Sequence, residues 1–217
     1  MKRYELIVFD WDGTLMDSAA AIVHSIQAAC RDLGLPVPAE AGVRHVIGLG
    51  LVDALQQAVP ELDPKHYSWM AERYRYHYLS RDHELTLFDG IEALLGDLGA
   101  AGHLLAVATG KSRIGLDRAM SHAGLGVHFH GSRCADECFS KPHPQMLEEL
   151  MAEFAVAPTQ TLMIGDTSHD LQMASNAGVE ALAVTYGAHS REHLAGYGPL
   201  ACLHSVADLS AWLKTNA

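Results

Sequence analysis

The sequence is poor in the features that mark several protein classes. Its 217 residues include only four cysteines and no C-x-x-C pair, which is too few for a disulfide scaffold. Lys and Arg number 15 against 26 Asp and Glu, without a basic run, so neither nucleic acid nor an anionic membrane surface is expected as a partner. No apolar run approaches the roughly 20 residues needed to cross a bilayer. We therefore expect a cytoplasmic globular protein that binds neither nucleic acid nor membrane.

Short apolar runs that end in polar residues indicate the strands of a parallel sheet. Four such runs occupy residues 6–9, 104–108, 161–164 and 181–184. They alternate with segments whose apolar residues repeat at helical spacing, at 91–98, 146–154, 171–177 and 206–213. Alternating strands and helices predict an α/β fold with a mostly parallel sheet and right-handed crossovers. Ligands of such open sheets bind at the carboxyl ends of the strands, where the polar residues stand here.

One long segment interrupts this alternation directly after the first strand. Its apolar residues follow helical spacing, and it contains no convincing strand. The segment therefore reads as a helical insert. We predict two domains, an α/β core of residues 1–15 and 86–217 and a helical cap of residues 16–85.

Four acidic residues stand at the predicted strand ends. Asp10 and Asp12 are two positions apart, so in an extended chain they lie on the same side, and Gly13 lets the chain turn sharply after them. Asp166 and Asp170 follow another strand. Neighbouring carboxylates repel each other, so a cation or a retained proton must compensate. Four acids at one edge of a sheet favour Mg²⁺, which prefers oxygen ligands.

Candidate cations and a hydroxyl accompany the acids. Lys141 stands just before a predicted helix, and Thr109, Gly110 and Lys111 end the second predicted strand. A hydroxyl, an ammonium group and backbone N–H groups beside Mg²⁺ are what the oxygens of a phosphoryl group require. These four residues are therefore candidate phosphate-binding residues.

In this order, the residues resemble the motifs of the haloacid dehalogenase (HAD) superfamily over essentially the whole chain. The four motifs are D-x-D-G-T at 10–14, a hydroxyl residue at Thr109, a lysine at Lys141 and G-D-x-x-x-D at 165–170. A helical cap between the first two motifs looks like the subfamily of phosphoglycolate phosphatases and β-phosphoglucomutases. Segments 46–55, 87–90 and 108–118 look most like the phosphoglycolate phosphatase branch. The resemblance implies a Rossmann-like parallel-sheet core with an inserted α-helical cap.

The resemblance also implies a role for each motif residue. Asp10 would attack phosphorus and form an aspartyl-phosphate, and Asp12 would protonate the leaving alkoxide and then activate water. Thr109 would donate to a phosphoryl oxygen, and Lys141 would offset the developing charge. Mg²⁺ would be held by four acids, Asp10, Asp12 through its main-chain carbonyl, Asp166, and Asp170 in or near the coordination shell.

We therefore predict a Mg²⁺-dependent phosphatase that acts on a small phosphorylated metabolite and exists as a monomer or homodimer. A sugar-phosphate mutase similar to β-phosphoglucomutase remains open, because it would use the same Asp10 and Asp12. A receiver-type phosphoacceptor module is disfavoured, because its phosphoacceptor stands on a middle strand and it lacks a long insert after the first. A non-catalytic binding protein is disfavoured because all the chemical groups are present.

Some residues have simpler interpretations. Asp170 taken alone is typical of a helix cap. The 14 histidines show neither H-x-H-plus-acid nor H-E-x-x-H spacing, so we expect surface and supporting roles for them. Within the predicted cap, Ser18, Arg44 and residues 48–50 are candidates for selecting the substrate.

Overall fold

A six-stranded parallel sheet forms the centre of the protein. The computed structural model describes residues 2–217. The strands, in chain order, are β1 Leu6–Phe9, β2 Leu104–Thr109, β3 Gly131–Cys134, β4 Thr161–Gly165, β5 Glu180–Val184 and β6 Cys202–Leu203. Their order across the sheet is β3-β2-β1-β4-β5-β6, and every neighbouring pair is parallel. The predicted α/β class and the four predicted strands are confirmed.

Residues 2–217 contain ten α-helices, some of which cover the sheet while others form a separate group after β1. In chain order they are α1 Ala19–Asp32, α2 Glu40–His45, α3 Leu51–Ala58, α4 Tyr67–Ser80, α5 Ile91–Ala100, α6 Arg113–Ala123, α7 Gln145–Phe154, α8 Ser168–Asn176, α9 Arg191–Ala195 and α10 Val206–Asn216. Four short 3₁₀ helices lie at Pro64–His66, Asp82–Glu84, Leu125–His128 and Pro158–Gln160. No helix among residues 2–217 is both long and apolar enough to cross a membrane.

The first strand is apolar throughout because helices cover both faces of the sheet. Ile7 and Phe9 belong to the apolar cluster that includes residues of α5 and α10, whereas Leu6 and Val8 belong to the cluster that includes residues of α7 and α8. All four side chains are fully buried. A continuous apolar run is what a parallel strand needs when both of its faces are covered.

Strand register brings three polar chain segments to one edge of the sheet. Phe9 is the partner of Val107 in β2 and of Ile164 in β4. The residues that follow these partners therefore leave the sheet at the same level. This edge carries the acids and the hydroxyl that the sequence marks as functional.

Residues 16–85, which we call the cap, contain helices α1 to α4. Their buried side chains, such as Ile26, Leu55 and Met70, form an apolar cluster of their own. The chain enters and leaves the cap through adjacent linkers, because Met16 and Leu87 form an antiparallel bridge and Asp17 N–H donates to the Thr86 carbonyl at 2.9 Å. The division into core and cap at residues 15/16 and 85/86 stays a prediction.

Candidate active site

A tight turn after β1 presents the first two acids. The backbone N–H of Asp10 donates to the Ile164 carbonyl at 2.9 Å, which continues the sheet pairing one residue beyond the strand, and the Asp10 side chain is fully buried. Gly13 has a φ of +80°, and a Cβ at this position would run into the carboxylate of Asp166. The turn therefore needs glycine both for its backbone conformation and for the close approach of the second acidic loop.

Asp166 and Asp170, the two acids that follow β4, accept hydrogen bonds from neutral donors. Asp166 accepts hydrogen bonds from the Thr14 hydroxyl at 2.9 Å and from the Ala188 N–H at 2.7 Å. Asp170 Oδ2 accepts from the Thr167 hydroxyl at 2.6 Å and from the Thr167 N–H at 3.1 Å, and the Asp170 N–H donates back to the Thr167 hydroxyl oxygen at 3.4 Å, which completes a capping box at the start of α8. Thr167 is therefore the N-cap of α8, and Asp170 is its capping-box partner in the first turn, which also faces the site.

Lys141 joins the two acidic loops. Its Nζ donates to Asp10 Oδ1 at 2.8 Å and to Asp170 Oδ1 at 2.6 Å, and all three side chains are fully buried. Burial alone would lower the pKa of the Lys141 ammonium, but the two carboxylates raise it above its ordinary value. Lys141 is therefore a cation at neutral pH, and it offsets part of the negative charge around it.

Three carboxylates form a compact group at this edge of the sheet. Oxygen atoms of Asp10, Asp166 and Asp170 lie within 4.8 Å of one another. Burial and repulsion from the other two acids raise the pKa of Asp10 well above its usual range, although Lys141 opposes the rise. Burial, with repulsion from Asp170, raises the pKa of Asp166 to about 7. The ionised forms of Asp10 and Asp166 are therefore costly unless another positive charge joins the group.

The donor set fits a hard divalent cation. Asp10 Oδ2 is buried and makes no hydrogen bond among the described residues, so it keeps unused lone pairs inside the group. By formal charge, the four carboxylates of Asp10, Asp12, Asp166 and Asp170 exceed the two ammonium groups of Lys111 and Lys141 by two. Oxygen donors with this excess suit Mg²⁺.

The Asp12 carboxylate lies outside that group of three. Its Oδ1 accepts a hydrogen bond from the Ser18 hydroxyl at 2.6 Å and lies 3.1 Å from the Nζ of Lys111. The i, i+2 spacing brings Asp10 and Asp12 to the same edge, but the two carboxylates have different partners. The assignment of Asp12 as a metal ligand through its main-chain carbonyl stays a prediction.

Lys111 connects the core to the cap. Its Nζ donates to the Tyr78 hydroxyl of α4 at 3.1 Å and lies 4.8 Å from the centre of that ring. Burial alone would lower the pKa of Lys111, but Asp12 and Tyr78 raise it above its ordinary value. In the sequence, Tyr78 belongs to an apolar stripe that most simply indicates cap packing, although aromatic residues that face the cleft could also shape substrate selection.

The end of β2 is covered by the cap. Thr109 is fully buried, and its hydroxyl accepts a hydrogen bond from the Lys111 N–H at 3.2 Å. A Cβ on Gly110 would run into the main chain of Gly48 and Leu49. The Gly50 N–H donates to the Ser140 hydroxyl, next to Lys141, at 2.8 Å. Cap residues 48–50 therefore lie against the site.

Ser18 and Arg44, the other two cap residues predicted to select the substrate, have different surroundings. Ser18 contacts Asp12, as described above, whereas Arg44 forms an ion pair with Glu40 at 2.8 Å within α2. Gly187 was missed by the sequence analysis, although a Cβ there would run into the Asp166 carboxylate. Thr14, which donates to Asp166, had a signal as the last residue of the D-x-D-G-T motif.

Comparison with known proteins agrees with this geometry. The family model described as haloacid dehalogenase-like hydrolase matches residues 7–184. The chain is 34% identical over 215 residues to a 5′-nucleotidase of Pseudomonas aeruginosa, covering 96% of this chain and 94% of that protein. It is 32% identical over 209 residues to a phosphoglycolate phosphatase of Vibrio cholerae, covering 92% of each. The crystal structure of a predicted phosphoglycolate phosphatase from Haemophilus somnus superimposes with a TM-score of 0.89 at 27% identity, covering both chains completely.

Proposed function

The chain belongs to the haloacid dehalogenase-like hydrolases, as a phosphatase of that family, and we propose that it hydrolyses a small phosphomonoester with Mg²⁺ through a phosphorylated Asp10. The observation that carries this proposal is the group of buried carboxylates of Asp10, Asp166 and Asp170, which the buried ammonium group of Lys141 compensates in part. Such a group is costly to fold and serves the binding of a cation and a phosphoryl group.

Asp10 is the proposed nucleophile. One of its oxygens is held by Lys141, which fixes the orientation of the carboxylate, and the other oxygen has no hydrogen-bond partner among the described residues. In the first step a carboxylate oxygen of Asp10 bonds to phosphorus while the bond from phosphorus to the ester oxygen breaks. Nucleophilic catalysis of this kind divides one difficult displacement into two easier ones.

Asp12 is the proposed acid and base. It delivers a proton to the departing alkoxide in the first step and takes one from the water that attacks phosphorus in the second, which releases inorganic phosphate and restores Asp10. The Ser18 hydroxyl and the Lys111 ammonium group hold its carboxylate away from the three other acids. Acid–base work of this kind typically contributes about 10²–10⁴-fold to the rate.

The remaining motif residues hold the phosphoryl group. Thr109 and the backbone at Gly110 lie at the end of β2, where they can donate hydrogen bonds to phosphoryl oxygens, and Lys141 offsets the charge shared with Asp10. Mg²⁺, held by Asp10, the Asp12 main chain, Asp166 and Asp170, would neutralise phosphoryl charge when bound. Lys111 offers a second ammonium group on the side that faces the cap.

The leaving group is selected where the cap meets the core. Residues 48–50, Ser18 and Tyr78 line this junction, and we propose that they decide which phosphomonoester fits. The names of the two relatives include a glycolate ester and nucleotides as substrates, so both classes belong in the first screen. We propose 2-phosphoglycolate as the first candidate, on the sequence segments that resemble that branch of the family.

The test is phosphate release from 2-phosphoglycolate, sugar phosphates and nucleoside monophosphates, with Mg²⁺ and with chelator. We expect metal-dependent release by the wild-type protein, loss of release in Asp10→Asn, and unchanged release in His122→Ala, an exposed residue on α6. Retained turnover in a folded Asp10→Asn would contradict the assignment. Conversion of one sugar phosphate into another without net release of phosphate would support the mutase.

A further inference from the structure

Four histidine rings meet where α2 of the cap rests on the core. The ring of His45, at the end of α2, stacks on that of His189 with centroids 5.3 Å apart, and the ring of His193 on α9 lies 5.7 Å from His45 and 5.1 Å from His189. His169 on α8 completes the group at 5.7 Å from His45. These residues come from three separate segments of the chain, so the spacing of histidines in the sequence does not predict that they meet.

Three of the histidines offer ligand atoms close enough to share one ion. Ring nitrogens of His45, His189 and His193 lie within 4.8 Å of one another. Tetrahedral Zn²⁺, with bonds to nitrogen of about 2.0–2.1 Å, needs neighbouring nitrogens roughly 3.3 Å apart. His45 and His193 are exposed and line a surface cavity of about 210 Å³ together with the buried His189. The two exposed rings therefore have room to move until their nitrogens reach the spacing that Zn²⁺ needs.

The chemistry of the group differs from that of the acidic site. Imidazole nitrogens suit Zn²⁺, Ni²⁺ and Cu²⁺, whereas Mg²⁺ prefers oxygen. Arg44 lines the same cavity, but its charge is paired with Glu40 at 2.8 Å. Three protein ligands with one side open to the cavity match a site that keeps a fourth position for water.

We propose that His45, His189 and His193 form a second metal site, for a late divalent transition-metal ion such as Zn²⁺, that ties the cap to the core. The site bridges α2 of the cap to the β5–α9 loop and α9 of the core. An ion bound there restrains movement of the cap relative to the core, and therefore slows a catalytic cycle in which the cap must open.

The hydrogen bonds of His189 link this site to the segment after β4 that carries Asp166 and Asp170. Its Nδ1 accepts from the backbone N–H of Ser168 at 3.0 Å, so its proton is on Nε2, which lies 3.2 Å from the His45 carbonyl oxygen. An ion bound at Nδ1 of His189 directly replaces the hydrogen bond from the Ser168 N–H. An ion at Nε2 moves the proton to Nδ1, which turns that acceptor into a donor and also ends the Ser168 bond.

Loss of the Ser168–His189 hydrogen bond affects the active site, because Ser168 lies in the chain between two of its acidic residues. It is the first residue of α8, between Asp166 and Asp170. The backbone N–H of His189 also lies 3.3 Å from the Asp166 carbonyl oxygen. Metal bound by the histidines therefore alters the segment that carries Asp166 and Asp170, two of the proposed Mg²⁺ ligands, in addition to restraining the cap.

The binding test uses the full chain without a histidine tag, titrated with Zn²⁺ by calorimetry in excess Mg²⁺. We expect one Zn²⁺ per chain, with an affinity that falls by at least about tenfold in both His45→Ala and His193→Ala and is unchanged in His122→Ala. Both altered side chains are exposed, so the variants should fold. Absence of Zn²⁺ binding, or equal affinity in all four proteins, would overturn the site. This readout does not depend on the proposed phosphatase activity.

The second arm tests coupling to the active site. In excess Mg²⁺, Zn²⁺ is expected to lower the kcat of the wild-type protein and of His122→Ala over the concentration range in which it binds. His45→Ala should need at least about tenfold more Zn²⁺ for the same inhibition. Equal inhibition of all three proteins would locate the inhibitory effect of Zn²⁺ at the acidic site and would overturn the proposal that Zn²⁺ bound by the histidines restrains the cap.

Discussion

At the scale of single residues, the two aspartates of the first motif have different surroundings. Asp10 is bound by Lys141, 131 positions away in the chain, whereas Asp12 is bound by Ser18, six positions away. The spacing of the two acids was sufficient to predict that both stand at the edge of the sheet. The contact with Lys141 could not be predicted from spacing, because only the completed fold brings these segments together.

The buried position of Lys141 leads to a prediction about stability. Lys141→Met leaves Asp10 and Asp170 without their shared cation, and removal of one partner from a buried ion pair typically costs about 3–5 kcal/mol. We expect a loss of this order in the free energy of unfolding, measured with urea in the presence of chelator. Lys214→Met, which removes an exposed pair with Asp97, is the control and should change little. A Lys141→Met protein as stable as this control would contradict the account.

The raised pKa of Asp166 predicts a dependence of stability on pH. This pKa is about 7 in the folded protein and roughly 3.9 in an unfolded chain. Between these values the folded protein binds more protons than the unfolded chain, so this carboxyl's contribution to stability is present below pH 4 and is lost as the pH rises through 7. Without metal, the free energy of unfolding of the wild-type protein minus that of Asp166→Asn should therefore fall over this window.

The comparison with Asp166→Asn is needed because a buried histidine acts in the opposite direction. Burial lowers the pKa of His189 to about 4, so its contribution is lost as the pH falls from 6.5 toward 4. This contribution is common to both proteins and cancels in the difference. Urea unfolding of both proteins at several pH values measures this difference in the free energy of unfolding. A difference that stays flat or rises with pH would show that Asp166 is ionised throughout.

At the scale of secondary structure, the elements that the sequence predicted are those with strong apolar patterns. β3 and β6 were missed because both are edge strands, and β3 has the polar sequence Gly-Ser-Arg-Cys. Helix α6 was missed because Leu116 is its only buried residue, which leaves no apolar stripe. Its start had a signal, since the Ser112 hydroxyl accepts from the Gly115 N–H as an N-cap.

The contact between α4 and the β2–α6 loop predicts an effect of the cap on catalysis. Tyr78→Phe removes the hydroxyl that accepts from Lys111, the cation that also faces Asp12. A hydrogen bond to a charged group is worth about 1.5–3 kcal/mol, so kcat/KM should fall by roughly tenfold or more. Tyr76→Phe, an exposed residue on the same helix, is the matched control. Equal kcat/KM values for the two variants would exclude a role for this contact in turnover.

At the scale of the whole molecule, local charge matters more than net charge. The chain carries a formal charge of −11, which opposes an anionic substrate. Lys111 and Lys141 nevertheless stand at the one edge where the acids meet, and screening limits the influence of distant charges to about 8 Å in physiological salt. The resemblance to the HAD superfamily is confirmed by the family match over residues 7–184.

Motif order predicted which residues meet at this edge of the sheet, but not how the cap packs against them. The sequence predicted the acids, Thr109 and Lys141, because each follows a strand or precedes a helix. It did not predict the contacts of Gly110 with Gly48 and Leu49, or the group of histidines, because these depend on how the cap packs against the core. Packing between distant segments leaves no periodic pattern in a single sequence.

The most direct test of the central claim is to trap the phosphorylated protein. The wild-type protein is mixed with its best phosphomonoester and Mg²⁺, quenched within a turnover, and treated with borohydride, which reduces an acyl-phosphate. Peptide mass mapping then locates the reduced carboxyl group. We predict modification at Asp10, dependent on substrate and absent from Asp10→Asn. Modification at another acid, or none during demonstrated turnover, would contradict a mechanism that passes through a phosphorylated Asp10.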